Sequence, residues 1–231
     1  MRSGSYLKIM EEQQRWDIYN QFALWGKLDR YTKMLARYEL FKLIADKPGD
    51  IVEGGVLKGT GVLFWAKLIQ IFNPQSRRKV VGFDTFAGYP ETATHAHDRK
   101  TAKEFRSMQI QKDEQVSTET ILNIAKEQGL DHRVELVQGD AVTTVVDYVK
   151  DNPGFRVALL NLDFVLYEPT LAALKHLYPS VVPGGVIALD EYGVRNTGES
   201  DAVDEILEGR PVDLRMFPWS KSPTAYFVKT Q

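Results

Sequence analysis

Apolar positions along the chain recur with two different periods, and the two alternate. Residues 5–45 carry helix-spaced stripes: Trp16, Tyr19, Ala23 and Leu24 form one, and Leu35, Tyr38, Leu40, Phe41 and Ile44 form another before Pro48 stops the run. Between them, Trp25 to Lys33 holds a glycine and clustered charges, which predict a break that can fold over a site or sit in solvent. Pro48-Gly49 then opens a β-branched strand at Ile51-Val52, and a helix is predicted through Val62, Trp65, Ala66, Ile69 and Phe72. Further strands are predicted at 79–86, 133–140, 157–163, 186–192, 212–217 and 225–229, and helices at 118–128, 141–150, 168–178 and 202–207. The run Val157 to Leu162 is almost unbroken in its apolar character, which suits a central strand covered on both faces. Strands and helices that alternate until two strands close the chain predict an α/β sandwich with a mainly parallel sheet.

Five of these strands end in an acid: Glu53, Asp84, Asp140, Asp163 and Asp190. Any one of them could be a helix cap or a solvent-facing turn residue. Five at the carboxyl edge, where open parallel sheets bind ligands, point to a site. The densest stretch is 49–61, a strand running through Glu53 into Gly54, Gly55, Gly59 and Gly61. Its glycines permit positive φ and close backbone approach, and Thr60 can cap the next helix, whose free N–H groups can hold a polar ligand. A tight turn with no ligand fits the same residues. The acid suits a ligand group of positive charge. The spacing is not G-x-G-x-x-G, and Asp84 lies about thirty residues beyond the glycines rather than the roughly twenty of nicotinamide sites, though it is still placed to meet ribose hydroxyls. Residues 87–118 fit no clean period, the mark of a lid or a disordered insertion. They include His95, His97 and Asp98, which suit a metal, a substrate contact or solvent.

The 231 residues are enough for one α/β domain, expected to span 1–231 with an N-terminal helical segment (1–48) and a lid-like insertion (87–118). A formal net charge of −2 argues against a nucleic-acid partner. With no cysteine, disulfides, thiolate chemistry and Cys-based zinc sites are excluded. No run of about 18 apolar residues occurs, and Met1 to Tyr6 lack an apolar signal core, so a cytoplasmic protein without a membrane partner is expected. The expected partner is a small-molecule substrate, with homo-oligomerisation left open.

At these residues the sequence resembles class I S-adenosylmethionine-dependent methyltransferases and, more narrowly, the macrocin O-methyltransferase family, which methylates sugar hydroxyls in antibiotic and deoxysugar pathways. The matching pieces are Gly49 to Val56, Val81 to Pro90 with its Phe83-Asp84-Thr85-Phe86 core, Leu162 to Thr170, and Pro183 to Gly193. The stretch Lys27 to Leu40 also looks like the subgroup acting on nucleotide-linked 6-deoxyhexoses. The resemblance implies a Rossmann-like fold: a mainly parallel seven-stranded sheet, helices on both faces and a final antiparallel strand. It also implies roles. Glu53, Gly54 and Gly55 would hold the amino-acid end of S-adenosylmethionine, Asp84 its ribose with Thr85 and Phe86 alongside, and Gly139, Asp140 and Ala141 its adenine side. Thr32 would close over the methionine moiety. Asp163, Asp190 and Glu191 match a divalent-metal cluster usually assigned to Mg2+. Two positions depart from the pattern. Val165 stands where the family has a second Asp, proposed as general base, which leaves Asp163, Glu168 or a lid histidine to accept the proton; and Asp190-Glu191 stands where Asp-Asp is common. The leading expectation is metal-assisted methyl transfer from S-adenosylmethionine to a small, sugar-containing hydroxyl compound, with Mg2+ as the expected ion. Against it stand a cofactor-binding protein without turnover or with altered specificity, and a nicotinamide-linked oxidoreductase.

Overall fold

A computed structural model describes residues 12–90, 94–96, 98 and 116–230. The elements run α1 (Glu12–Trp25), α2 (Leu28–Leu43), β1 (Asp50–Gly54), α3 (Thr60–Phe72), β2 (Val80–Asp84), α4 (Thr118–Glu127), β3 (Val134–Gln138), α5 (Ala141–Asp151), β4 (Val157–Leu162), α6 (Tyr167–Leu177), β5 (Val181–Leu189), α7 (Glu199–Leu207) and β6 (Ala225–Val228). The strand order is β3-β2-β1-β4-β5-β6, all parallel except β6, which pairs antiparallel to β5. The chain order reverses between β1 and β4, and a parallel sheet binds ligands in the crevice outside such a reversal.

Alternation along each strand sorts the core into two layers. Ile51, Val80, Leu159, Val186 and Ala188 pack with Leu40, Phe41, Val62, Trp65 and Ile121 from α2, α3 and α4. Their strand neighbours Val52, Val81, Leu160, Ile187 and Leu189 pack with Val145, Ala173, Leu174 and Val203 from α5, α6 and α7. Strands β1, β2, β4 and β5 are therefore apolar on both faces, as the run at Val157 to Leu162 predicted, and every residue of β4 is buried.

Two expectations are corrected. Among the described residues the sheet has six strands rather than seven: the stretch 212–217 contributes one bridge, Arg215 to Tyr226, and no strand. Thr60 does not cap α3; Gly59 is the cap residue, at φ 80° and without a side-chain bond. The apolar stripe on α1 is not buried, with Trp16 58%, Tyr19 62% and Leu24 74% exposed. The predicted break is at Gly26-Lys27, between α1 and α2, where Gly26 N–H donates to the Phe22 carbonyl at 2.8 Å. Among the described residues no helix is long and apolar enough to cross a membrane.

Candidate active site at the carboxyl edge of the sheet

Backbone bonds carry the register of the sheet past the strand ends. Gly55 N–H donates to the Phe83 carbonyl (2.9 Å), Gly139 N–H to Asp84 (2.9 Å), Asp163 N–H to Gly54 (2.8 Å) and Asp190 N–H to Leu162 (2.9 Å). The acids that end separate strands are thereby brought to one edge. Beyond it lies a cleft of about 930 Å³, its open mouth included. Gly55, Leu57, Asp84, Thr85, Phe86, Gly139, Asp140 and Ala141 line one part of it, and Tyr89, Asp163, Phe164 and Val165 another. Gly55 sits at φ 85°, and a Cβ there would run into the Asp163 carbonyl oxygen, so the two loops meet only because residue 55 has no side chain.

On the β1–β3 side, carboxylates organise backbone. Asp84 Oδ2 accepts from the N–H groups of Val56 (2.8 Å) and Leu57 (2.9 Å), and Oδ1 from Phe86 N–H (2.8 Å). Asp140 accepts from Val142 N–H (3.0 Å) and so caps α5. Glu53 is 2% exposed and does not line the cleft. Its carboxylate packs under the first turn of α3 against Gly61, and its Oε1 lies 3.5 Å from Arg37 Nη2. Burial raises the Glu53 pKa against the pull of the Arg37 and Lys33 charges. Glu53 Oε2 is buried without a hydrogen-bond partner, an orphaned acceptor directly behind the glycine turn.

On the β4–β5 side, carboxylates meet each other and a lysine. Asp163, Asp190 and Glu191 each present an oxygen within 4.8 Å of the others. Lys33, from α2, bridges two of them: its Nζ lies 3.0 Å from Asp163 Oδ2 and 2.8 Å from Asp190 Oδ2. The second Asp190 oxygen accepts from Ser222 Oγ at 2.5 Å. Burial, then repulsion from Asp190, pushes the Asp163 carboxyl up to about 8 despite the lysine. Burial, then Asp190, also raises Glu191. For Lys33, burial pulls downward, but Asp163 and Asp190 outweigh it and hold the ammonium above its ordinary value. Behind the cluster, Glu199 is fully buried and accepts from Glu191 N–H at 2.8 Å; burial, then the neighbouring carboxylates, raises it well above the usual range. Burial, then the negative field of Asp163 and Glu191, also raises the Tyr89 phenol, so it stays protonated.

Of the residues expected in the site, Gly55, Asp84, Thr85, Phe86, Gly139, Asp140, Ala141 and Asp163 converge on the cleft. Thr32, Glu53, Gly54, Asp190 and Glu191 do not line it. Thr32 lies on α2 and its hydroxyl bonds back to the Asp29 carbonyl at 3.1 Å. Sequence reasoning missed Lys33, Arg37, Tyr89, Glu199 and Ser222 as members of the region. Lys33 and Arg37 had a readable signal: they share the face of α2 that buries Ala36, Leu40 and Phe41, where solvated charges do not belong.

Most of the expected lid, including His97, lies outside the described residues. The described part is tied down. Glu168 Oε1 accepts from Thr94 N–H and His95 N–H, both 2.8 Å, while its Oε2 is buried without a hydrogen-bond partner. Asp98 is fully buried and accepts from Tyr167 N–H (2.6 Å) and Gly198 N–H (2.7 Å). His95 stacks on Tyr167 with ring centroids 4.3 Å apart, and its Nε2 faces Asp201 at 3.6 Å. Asp98 thus anchors its segment to Tyr167 and Gly198.

Comparison with known proteins places this geometry in a lineage. Residues 30–216 match the macrocin O-methyltransferase (TylF) family. The chain is 33% identical over 150 residues to 8-demethyl-8-(2,3-dimethoxy-alpha-L-rhamnosyl)-tetracenomycin-C 4'-O-methyltransferase of Streptomyces olivaceus, covering 64% of this chain and 54% of that protein. It is 27% identical over 184 residues to mycinamicin III 3''-O-methyltransferase of Micromonospora griseorubida, covering 76% and 69%. The match thus spans little more than half to about two thirds of the length of these relatives. The crystal structure of CalS11, a calicheamicin methyltransferase, superposes with a TM-score of 0.78 at 29% identity, covering 94% of this chain and 86% of that one. Sequence and fold agree, and this chain belongs to the macrocin O-methyltransferase (TylF) family.

Proposed function

We propose that this chain transfers a methyl group from S-adenosylmethionine to a hydroxyl of a small, sugar-containing acceptor, a nucleotide-linked deoxysugar or a glycosylated natural product. The observation that carries this reading is the placement of Asp163. It lines the cleft where the glycine turn and the carboxylate cluster meet, with one oxygen held by Lys33. Both named relatives methylate hydroxyls of glycosylated natural products.

The residues fit the cofactor. Gly55, with no side chain, Phe86 and Ala141 leave a half-apolar slot, and the orphaned Glu53 oxygen adds negative potential behind the turn that faces the amino-acid end. Asp84 and Asp140 take the ribose and adenine sides through the loops they fix; Thr85 and Gly139 line the same slot. Gly54 backs the turn, and Thr32 on α2 is the residue to close over the methionine moiety. The cofactor supplies a methyl group already activated on a sulfonium. The protein's part is to align the hydroxyl and take its proton. Asp163 is the acceptor of that proton, since a carboxyl raised to about 8 is a stronger base than an ordinary aspartate. Tyr89 lines the acceptor side of the cleft as a neutral phenol. The O–CH3 bond forms as the S–CH3 bond breaks, and the hydroxyl proton moves to the free Asp163 oxygen. The chain works as one methyltransferase domain, in the cytoplasm.

Magnesium on Asp163, Asp190 and Glu191 has the right donors, since hard oxygens suit Mg2+. The arrangement around them does not fit a divalent ion. The Lys33 ammonium already holds Asp163 Oδ2 and Asp190 Oδ2, so an ion about 2.1 Å from Asp190 Oδ2 would stand no farther than about 5 Å from that ammonium and would compete with it for the same two oxygens. No step is therefore routed through a metal.

The test is transfer of tritiated methyl from S-adenosylmethionine to a panel of nucleotide-linked 6-deoxyhexoses and glycosylated macrolides, with calorimetry for S-adenosylhomocysteine. Labelled product is expected. Cofactor binding without transfer to any acceptor would support a binding protein, and binding of NAD in preference would support an oxidoreductase.

A further inference from the structure

We propose that Lys33 is the built-in cation of the acceptor-side carboxylates, taking the place where the family pattern implies a divalent metal and positioning Asp163 for methyl transfer. The inference rests on the functional reading above and deepens it at one residue.

Its ammonium is placed by construction. Lys33, Ala36, Arg37, Leu40 and Phe41 fall on one stripe of α2, and the last two are anchored in the core. Docking that stripe on the sheet edge delivers two cations to two acidic positions: Arg37 to Glu53, and, one turn earlier, Lys33 to Asp163 and Asp190. The Lys33 and Asp190 side chains are 18% and 5% exposed, so their pair is largely removed from solvent screening. Both Asp190 oxygens are engaged, one by Lys33 and the other by Ser222. Asp163 keeps its second oxygen toward the cleft.

Charge bookkeeping points the same way. Where the family pattern has an acid, this chain has Val165, which lines the cleft and brings no charge. An ammonium also carries one positive charge fewer than a divalent ion. The two losses cancel, so the cluster with Lys33 keeps the formal charge that four carboxylates and a divalent ion would have. An ammonium has three donors, and two of them are taken by Asp163 and Asp190.

The test titrates MnCl2 alone, and separately S-adenosylhomocysteine alone, into the wild type, Lys33→Met and Lys33→Arg, followed by calorimetry. The wild type and Lys33→Arg are expected to show no saturable Mn2+ binding below 1 mM, on the order expected for an occupied carboxylate site. Lys33→Met, which frees the oxygens, is expected to bind Mn2+ at least about tenfold more tightly. A lysine that merely supported the fold would not move metal affinity upward. S-adenosylhomocysteine binding by Lys33→Met within about twofold of wild type shows that the variant is folded. Saturable Mn2+ binding by the wild type as tight as by Lys33→Met overturns the proposal. If Lys33→Met does not fold, the wild type decides: micromolar Mn2+ binding overturns the proposal and its absence supports it. Failure of the wild type to bind S-adenosylhomocysteine would strike the cofactor reading and leave the Mn2+ result to judge Lys33.

Discussion

The two halves of the carboxyl edge present the same side chains to different partners. On the β1–β3 half, Asp84 and Asp140 spend their oxygens on the backbone N–H groups of Val56, Leu57, Phe86 and Val142. On the β4–β5 half, Asp163 and Asp190 face a lysine and one another. A carboxylate bonded to fixed backbone dipoles shapes a loop, and its charge is consumed in doing so. A carboxylate held on one oxygen by a side chain, and pushed up by burial and a like neighbour, keeps a second oxygen that can move a proton. One half is built to grip and the other to react.

Asp163→Asn strikes the reactive half and should have the largest effect. The rate of methyl transfer should fall about 10²–10⁴-fold, the usual worth of a positioned general base, while S-adenosylhomocysteine affinity stays within about twofold. The ionised carboxylate is the active form and its pKa is raised, so the wild-type rate should climb as pH rises through about 8 and then level off. The variant should show no such climb. An equal loss of cofactor affinity in the variant would break the division between the halves.

Asp84→Ala strikes the gripping half. It removes the acceptor of three backbone bonds, and hydrogen bonds to charged groups contribute roughly 1.5–3 kcal/mol each, without simple additivity. We expect about 3 kcal/mol less unfolding free energy in urea titration, together with weaker S-adenosylhomocysteine binding. An unchanged melting curve would mean that the Gly55–Leu57 turn holds itself.

Val165 sharpens the boundary. It adopts φ 69°, a left-handed conformation that costs an L-residue roughly 1–2 kcal/mol and that a β-branched side chain rarely takes. Val165→Asn relieves the backbone without adding an acid, and should raise stability by about 1 kcal/mol with little change in rate. Val165→Asp adds the same relief and the acid of the family pattern, so any rate above that of the Asn variant belongs to the carboxylate. Lower stability in both would show that the apolar wall at residue 165 outweighs its strain.

The periods of the sequence determined most of the elements: strands at Ile51, Val80, Val134, Val157 and Val186 and the helices between them. They also brought five acids to strand ends and marked the break at Gly26. A local pattern reports which face of an element is apolar, not what that face meets. The stripe of Trp16, Tyr19 and Leu24 has helical spacing and still faces solvent. The stretch 212–217 has the residues of a strand, but beyond one bridge at Arg215 it finds no ladder. Its partner there, Tyr226, lies on β6, the edge strand of the sheet, and the contact stops at that one residue pair. The functional contacts were decided only by the fold. Lys33 meets Asp163 across 130 positions of sequence and Asp190 across 157, and Asp98 meets Gly198 across 100. No spacing rule spans such distances. The register of the parallel sheet and the docking of α2 on its edge decide which charges become neighbours, and burial at that edge decides which of them stay reactive.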